Sequence, residues 1–424
     1  MSLPQEPQAF AEQVDLDGPV RGPGWAVLWG CFVGCSWTWV IGMVFPVLLL
    51  RDYGMWGWVA FAVPNVLGAA AMGFVLGSPE VARSIWNKHR TMVRWFSDVT
   101  LAFHVFVLMW LGTALFGPAA WAAAAVPLLM MMPARREAWG PWLPTAAAGV
   151  ALLSWGCFSY ATRLPEAGTI VDGLFGLPTP SPHIAAPELP IPELGVTELL
   201  IFLPASITGF LLCPYLDGSF LRGRAATTRG TGRFAFAFGF GIVFFSMIIF
   251  SLVYAAWLIP AFRGEAVAWS DAWAIVIGLH VLVQAGFTMI LHLRERELLN
   301  PDGRQLGGLT LLLAAAFVLV LLQSEHDGIL GVSWAEIGYR SFLLMYGLTF
   351  PAYVWLVMLR PLGSEATRSV WMRFGVACAI AVPMGWIGFV TGPAWWLLGA
   401  LAVVTFAKLL PIGTGGAKLD KALA

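Results

Sequence analysis

Charge is what this chain has least of. Asp, Glu, Lys and Arg make up 11% of its 424 residues, and the formal net charge is +0. Without a basic surplus there is no electrostatic pull toward nucleic acid. Cysteine is also sparse: Cys31, Cys35, Cys157, Cys213 and Cys378 all sit in apolar runs. None forms a CxxC or Cys/His spacing that suggests zinc, so they read as small buried hydrophobes. Catalytic signatures are missing too. The chain has no HExxH, no P-loop, no intramembrane pair of carboxylates, no serine nucleophile with a matched histidine in a recognisable motif and no ring of haem-ligating histidines. An enzyme is therefore not expected. The stretch Met1–Pro23 lacks a basic segment leading into a short apolar core, so it reads as a disordered cytoplasmic tail rather than a cleavable signal.

What fills the chain instead is hydrocarbon. Hydrophobic residues reach 59%, and the mean hydropathy is +0.77. About a dozen apolar runs approach the roughly 20 residues a helix needs to cross a bilayer. They read as spans 25–50, 55–77, 97–116, 118–132, 141–162, 197–216, 233–259, 271–292, 306–323, 338–359, 370–389 and 393–411. The expected fold is thus an all-α membrane protein in a lipid bilayer. Many of its 22 tryptophans fall near span ends, as in an interfacial belt.

The few charges fix the orientation. With Met1 in the cytoplasm and every run crossing, all but Arg51, Arg163, Arg263 and Arg340 of the 24 Lys and Arg land on one side. That is the positive-inside pattern, with both termini cytoplasmic and, in a bacterium, the inner membrane as the location. It also retains the short fourth span, whose omission would put Arg135 and Arg136 outside. Ser78–Phe96, carrying Arg83, Lys88, Arg90 and Arg94, reads as an amphipathic cytoplasmic helix on the anionic leaflet. The Pro-rich run from Leu164 to Glu193 is the longest external loop.

That loop divides the spans into five, five and two. The expected parts are a tail at 1–24, a first five-helix repeat at 25–162, the loop at 163–196, a second repeat at 197–359 and two further helices with a tail at 360–424. Because five is odd, the second repeat starts on the opposite side of the membrane from the first. Carriers built this way begin each half with a helix broken at the midplane. Span one offers Gly34-Cys35-Ser36-Trp37-Thr38-Trp39 for the break. Span six offers Ser206-Ile207-Thr208-Gly209 and then Cys213-Pro214-Tyr215-Leu216-Asp217-Gly218. Gly and Pro there free backbone groups that must face protein or a cavity rather than lipid.

Ser36-Trp37-Thr38-Trp39 followed by Arg51-Asp52-Tyr53-Gly54 resembles the first core helices of sodium:solute symporters. Thr208-Gly209-Phe210 and then Arg222-Gly223-Arg224-Ala225-Ala226 resemble the sixth. The likeness covers about a third of the chain, and nucleobase–cation symporters share the same LeuT-type five-plus-five fold. It implies alternating-access transport and a sodium site of hydroxyls on core helix eight with carbonyls at the break in helix one. Here that helix offers only Thr288, helped by Gln284, so the resemblance implies the fold more than sodium coupling.

The expected activity is secondary transport of a small neutral or zwitterionic solute, with no cofactor and with Na+ or H+ as a coupling ion. A non-transporting sensor or anchor subunit with a protein partner is the alternative. Solute contacts are expected from Ser36, Trp37, Thr38, Trp39, Ser206, Thr208, Gly209 and Tyr215, and from two intramembrane histidines, His104 and His280. The expected site lies between spans one, three, six and eight. Asp217 is expected at headgroup level beside Arg222 or Arg224, and Asp98 and Asp271 as helix caps.

Overall fold

The structure is a computed structural model that describes residues 22–38, 40–117, 129, 132, 137–164, 193–263, 270–299, 307–322, 332–359 and 367–409. The expected fourth span, the Pro-rich loop and both tails lie largely or wholly outside these residues. Among the described residues the architecture is all-α. In order the helices are α1 (Pro23–Trp37), α2 (Val40–Val75), α3 (Pro79–Lys88), α4 (Arg90–Phe116), α5 (Leu143–Ala161), α6 (Val196–Leu212) and α7 (Gly218–Ala225). There follow α8 (Arg229–Phe262), α9 (Asp271–Leu299), α10 (Gly307–Leu322), α11 (Trp334–Met358), α12 (Arg368–Thr391) and α13 (Trp395–Ala407). Eight of these segments are long and apolar enough to cross a bilayer. This is an integral membrane protein.

Helix α2 joins the outer half of expected span one to span two in one element. At Gly54 the backbone leaves the helix (φ 65, ψ −157) and the chain turns back. That φ suits glycine, which has no Cβ to clash. A Cβ on nearby Gly57 would collide with the Leu49 carbonyl oxygen, so the two arms fit only with hydrogen at this position. The outer half of span one and the whole of span two therefore form a hairpin without a loop.

Of the basic segment Ser78–Phe96, Arg90 and Arg94 lie in the first turns of α4, and only Pro79–Lys88 forms α3. Ser78 caps it by accepting from the Val81 amide, Pro79 opens it, and the Ser78 hydroxyl holds the Glu80 carboxyl below its usual range. Its apolar face buries Ala82 and Trp86. Trp86 leans on Gly218, where a Cβ would meet the indole at 3.0 Å. The surface helix thus packs against the second half of span six.

Several expectations are corrected here. Asp98 is no cap: it lies inside α4, 1% exposed, and receives the Arg296 Nε at 2.5 Å. The charged stretch Arg294-Glu295-Arg296 continues α9 beyond the expected end of span eight, and Glu295 and Arg296 are paired in the bundle rather than solvated. Asp271 does open α9.

Candidate functional site at two helix breaks

Span one breaks at Thr38, whose backbone (φ −76, ψ 63) ends α1. Its hydroxyl donates back to the Gly34 carbonyl at 2.9 Å. Trp39, in the gap before α2, lies outside the described residues. Span six breaks later than half of its candidate motif allows. Ser206–Gly209 is regular helix within α6, with the Thr208 hydroxyl donating back to the Pro204 carbonyl at 2.8 Å. The reason is steric. Gly209 is used for close approach, its missing Cβ lying 3.1 Å from the Cα of Gly347 in α11. The real interruption is Cys213–Leu216, a 3₁₀ turn, followed by extended Asp217 (φ −75, ψ 113).

The two breaks meet. The Ser36 and Ser219 hydroxyl oxygens are 2.8 Å apart, and the rings of Trp37 and Phe220 are 4.8 Å apart. Asp217 lies at the junction, 0% exposed, and is not beside either arginine expected to pair with it. One carboxylate oxygen caps α7, accepting from the Ser219 amide at 2.7 Å and the Phe220 amide at 3.4 Å. It also accepts from the Ser219 hydroxyl at 2.6 Å. The other oxygen, Oδ2, has no hydrogen-bond partner among the described residues. The arginines expected beside it are engaged elsewhere. Arg222 pairs with Glu295 at 2.6 Å, and Arg224 donates to the Gly77 carbonyl at 2.6 Å.

The remaining candidates separate into two groups. A polar seam runs along the inner side of α9. Gln284 donates to the Ser154 hydroxyl at 2.9 Å, His280 Nδ1 lies 3.1 Å from the same oxygen, and Thr288 donates to the Cys35 carbonyl at 3.4 Å. The last contact joins the hydroxyl and the carbonyl that the resemblance assigns to a sodium site. His104 Nδ1 lies 2.8 Å from the Thr100 carbonyl one turn earlier in α4, as a histidine bonded within its own helix does. No cluster of three His, Cys, Asp or Glu placed to hold a metal occurs among the described residues.

The second group faces a cavity. About 70 Å³ of space lies among Trp37, Phe45, Asn65, Ser206, Cys213 and Phe389, with Gly209 also on its wall. It abuts both breaks through Trp37 and Cys213, but opens toward α11, α12 and α13 rather than toward α4 and α9. Trp37 is fixed there by donating to Asn65 at 2.7 Å. The Ser206 hydroxyl has no partner among the described residues. Tyr215 is half-buried in the 3₁₀ turn and is not on this wall.

Beyond the cavity lies a wider vestibule of about 770 Å³, lined by Arg51, Asp52, Glu193, Arg263, Glu336 and Arg340 among others. Arg51 holds both oxygens of Glu336 at 2.7 Å and Asp52 at 2.8 Å. Arg340 holds Asp52 and Glu336 at 2.7 Å each. Three of the four arginines that the charge pattern sets apart are thus gathered at one end of the bundle. Sequence reasoning missed this quartet as a unit. Its signal was the i, i+4 pair Glu336 and Arg340 at the start of an apolar span, where charge is costly unless paired.

No protein-family profile and no curated protein sequence matches this chain. Among solved structures, it is similar to the manganese transporter of Eremococcus coleocola in complex with an aromatic bis-isothiourea substituted compound. A point mutant of the same transporter matches equally: 12% identity, 96% of this chain and 94% of that chain covered, TM-score 0.37. A likeness this remote carries neither fold details nor cargo across.

Proposed function

We propose that this protein is a secondary active transporter of a small neutral or zwitterionic solute, working by alternating access. The observation that carries the reading is the junction of two interrupted helices at a fully buried carboxylate, Asp217, with one oxygen left to accept from a ligand. Interrupted spans place free backbone dipoles at the midplane, where a solute can be held without full charges. An intramembrane carboxylate that no arginine neutralises is costly, and function is the usual reason it is kept. The ammonium of a zwitterion or a coupling proton suits Asp217. By the charge bias, the vestibule faces outward and the Arg222 end faces the cytoplasm.

Sodium coupling is weak or absent in this reading. Thr288 is the sole hydroxyl on α9, and a sodium ion takes several oxygen ligands. Uptake into proteoliposomes, with a panel of small solutes and with or without a sodium gradient, tests the proposal. Asp217→Asn should lower uptake of an active solute by at least about tenfold, the worth of one charge-assisted hydrogen bond. Thr288→Ala should change it less than about twofold. Sodium-driven uptake that Thr288→Ala abolishes would reverse the coupling assignment.

One observation favours the alternative of a non-transporting component. The cavity beside the breaks holds about 70 Å³, well below the roughly 300–1,000 Å³ of ordinary small-ligand pockets. Solute binding separates the readings. A carrier's melting temperature rises with the concentration of its solute, whereas a scaffold's does not respond to any member of the panel.

A further inference from the structure

The vestibule and the inner cavity are separate spaces with two wall residues in common, Phe389 and Leu397. Phe389 is the larger, and its surroundings fix it as a partition. Its ring stacks on Phe202 of α6 (5.9 Å, 15°) and meets Phe45 of α2 edge-on (6.2 Å, 85°). Both partners belong to the outer halves of the interrupted spans. On the vestibule side Arg340 holds Phe389 twice. Its Nη1 donates to the Phe389 carbonyl at 2.9 Å, and its guanidinium carbon sits 5.2 Å from the ring centroid. Arg340 is in turn a member of the charged quartet.

The backbone beneath Phe389 is unusual as well. It lies in a π-helical turn, Ile387–Thr391, at the end of α12. Such turns carry an extra residue in the helix and recur at functional sites. Gly388, next to it, has no room for a side chain, since a Cβ would lie 2.7 Å from the Leu397 amide of α13. A second π turn, Met345–Thr349 in α11, lines the far wall through Tyr346 and Gly347.

We propose that Phe389 is the lid of the inner cavity, latched by Arg340, and that solute passes from the vestibule between the outer halves of spans one and six and spans ten and eleven. The cavity behind the lid takes the apolar body of the solute, since its walls are carbon except for a few groups such as the Ser206 hydroxyl and Asn65. This deepens the transporter reading and rests on it, but the lid can be tested without transport. Cys213 lies on the inner wall and is 3% exposed, while Cys157, 6% exposed on α5, lies outside both spaces. A water-soluble methanethiosulfonate reagent applied to the purified full-length protein, with each cysteine read by mass spectrometry, reports access through the lid.

Phe389→Ala should raise modification of Cys213 relative to Cys157 by about tenfold, because removing the ring joins the two spaces. Phe389→Leu, the gentler change kept in case the alanine variant fails to fold, should raise it by less. A ratio within about twofold of wild type in the folded variants overturns the lid. A raised ratio in a protein that moves no solute would uphold the lid and count against the transporter reading alone, so the two failures are distinguishable.

Discussion

The two ends of the bundle are closed by charge in different ways. At the vestibule end, two arginines share two carboxylates, and each anion keeps a second cation. The cluster borders a large open space, and the side chain of Glu193, which reaches Arg51 and Arg263, is 41% exposed. At the opposite end one ion pair is drier. Arg222 and Glu295 pair at 1% and 0% side-chain exposure, Arg296 holds Asp98, and His89 Nδ1 lies 2.8 Å from the Tyr353 hydroxyl. A shared network loses one contact and still has a partner for each charge. A dry pair leaves a bare ion when it parts. The contrast favours opening at the vestibule end, where each charge of the quartet keeps a second partner when one contact parts.

That asymmetry can be broken by substitution. Arg222→Met leaves the Glu295 carboxylate buried without its partner and should cost about 3–5 kcal/mol, read as a lower thermal midpoint in detergent. Adding Glu295→Met should restore most of the loss, since a dry apolar pair replaces a dry ionic one. Arg51→Met should cost less, about 1–3 kcal/mol, because Arg340 still holds Glu336 and Asp52. Equal losses at both ends would remove the distinction. Smallest is Glu193→Gln, on the exposed rim, with less than about 1 kcal/mol expected and an effect that fades at high salt.

Much of this arrangement was legible in the chain. Hydropathy and the placement of a few arginines gave the all-helical membrane fold and the end at which Arg51, Arg263 and Arg340 gather. Gly and Pro marked both broken spans. In span six they also marked Ser206–Gly209, which stayed helical, because a glycine used for close packing and one used to break a helix look alike in sequence. Asp217 was misjudged for a related reason. It stands near Arg222 and Arg224 in the chain, yet partners are chosen in three dimensions, and Glu295 and the Gly77 carbonyl took them. Phe389 carried no signal, being one of 29 phenylalanines in an apolar chain. Its role depends on which two spaces it happens to separate.

The turn at Gly54 has a kinematic consequence. A joint of one residue, with Gly57 closed against Leu49, leaves the two arms of the hairpin no slack to swing apart. Whatever tilts the outer half of span one therefore carries span two with it as a single lever. Its pivot is the gap at Thr38, and the hydrogen bond from Trp37 to Asn65 spans the fulcrum from one side of that gap to the far arm. Two spans thus contribute one moving body rather than two, which shortens the list of independent motions by which this bundle can change shape.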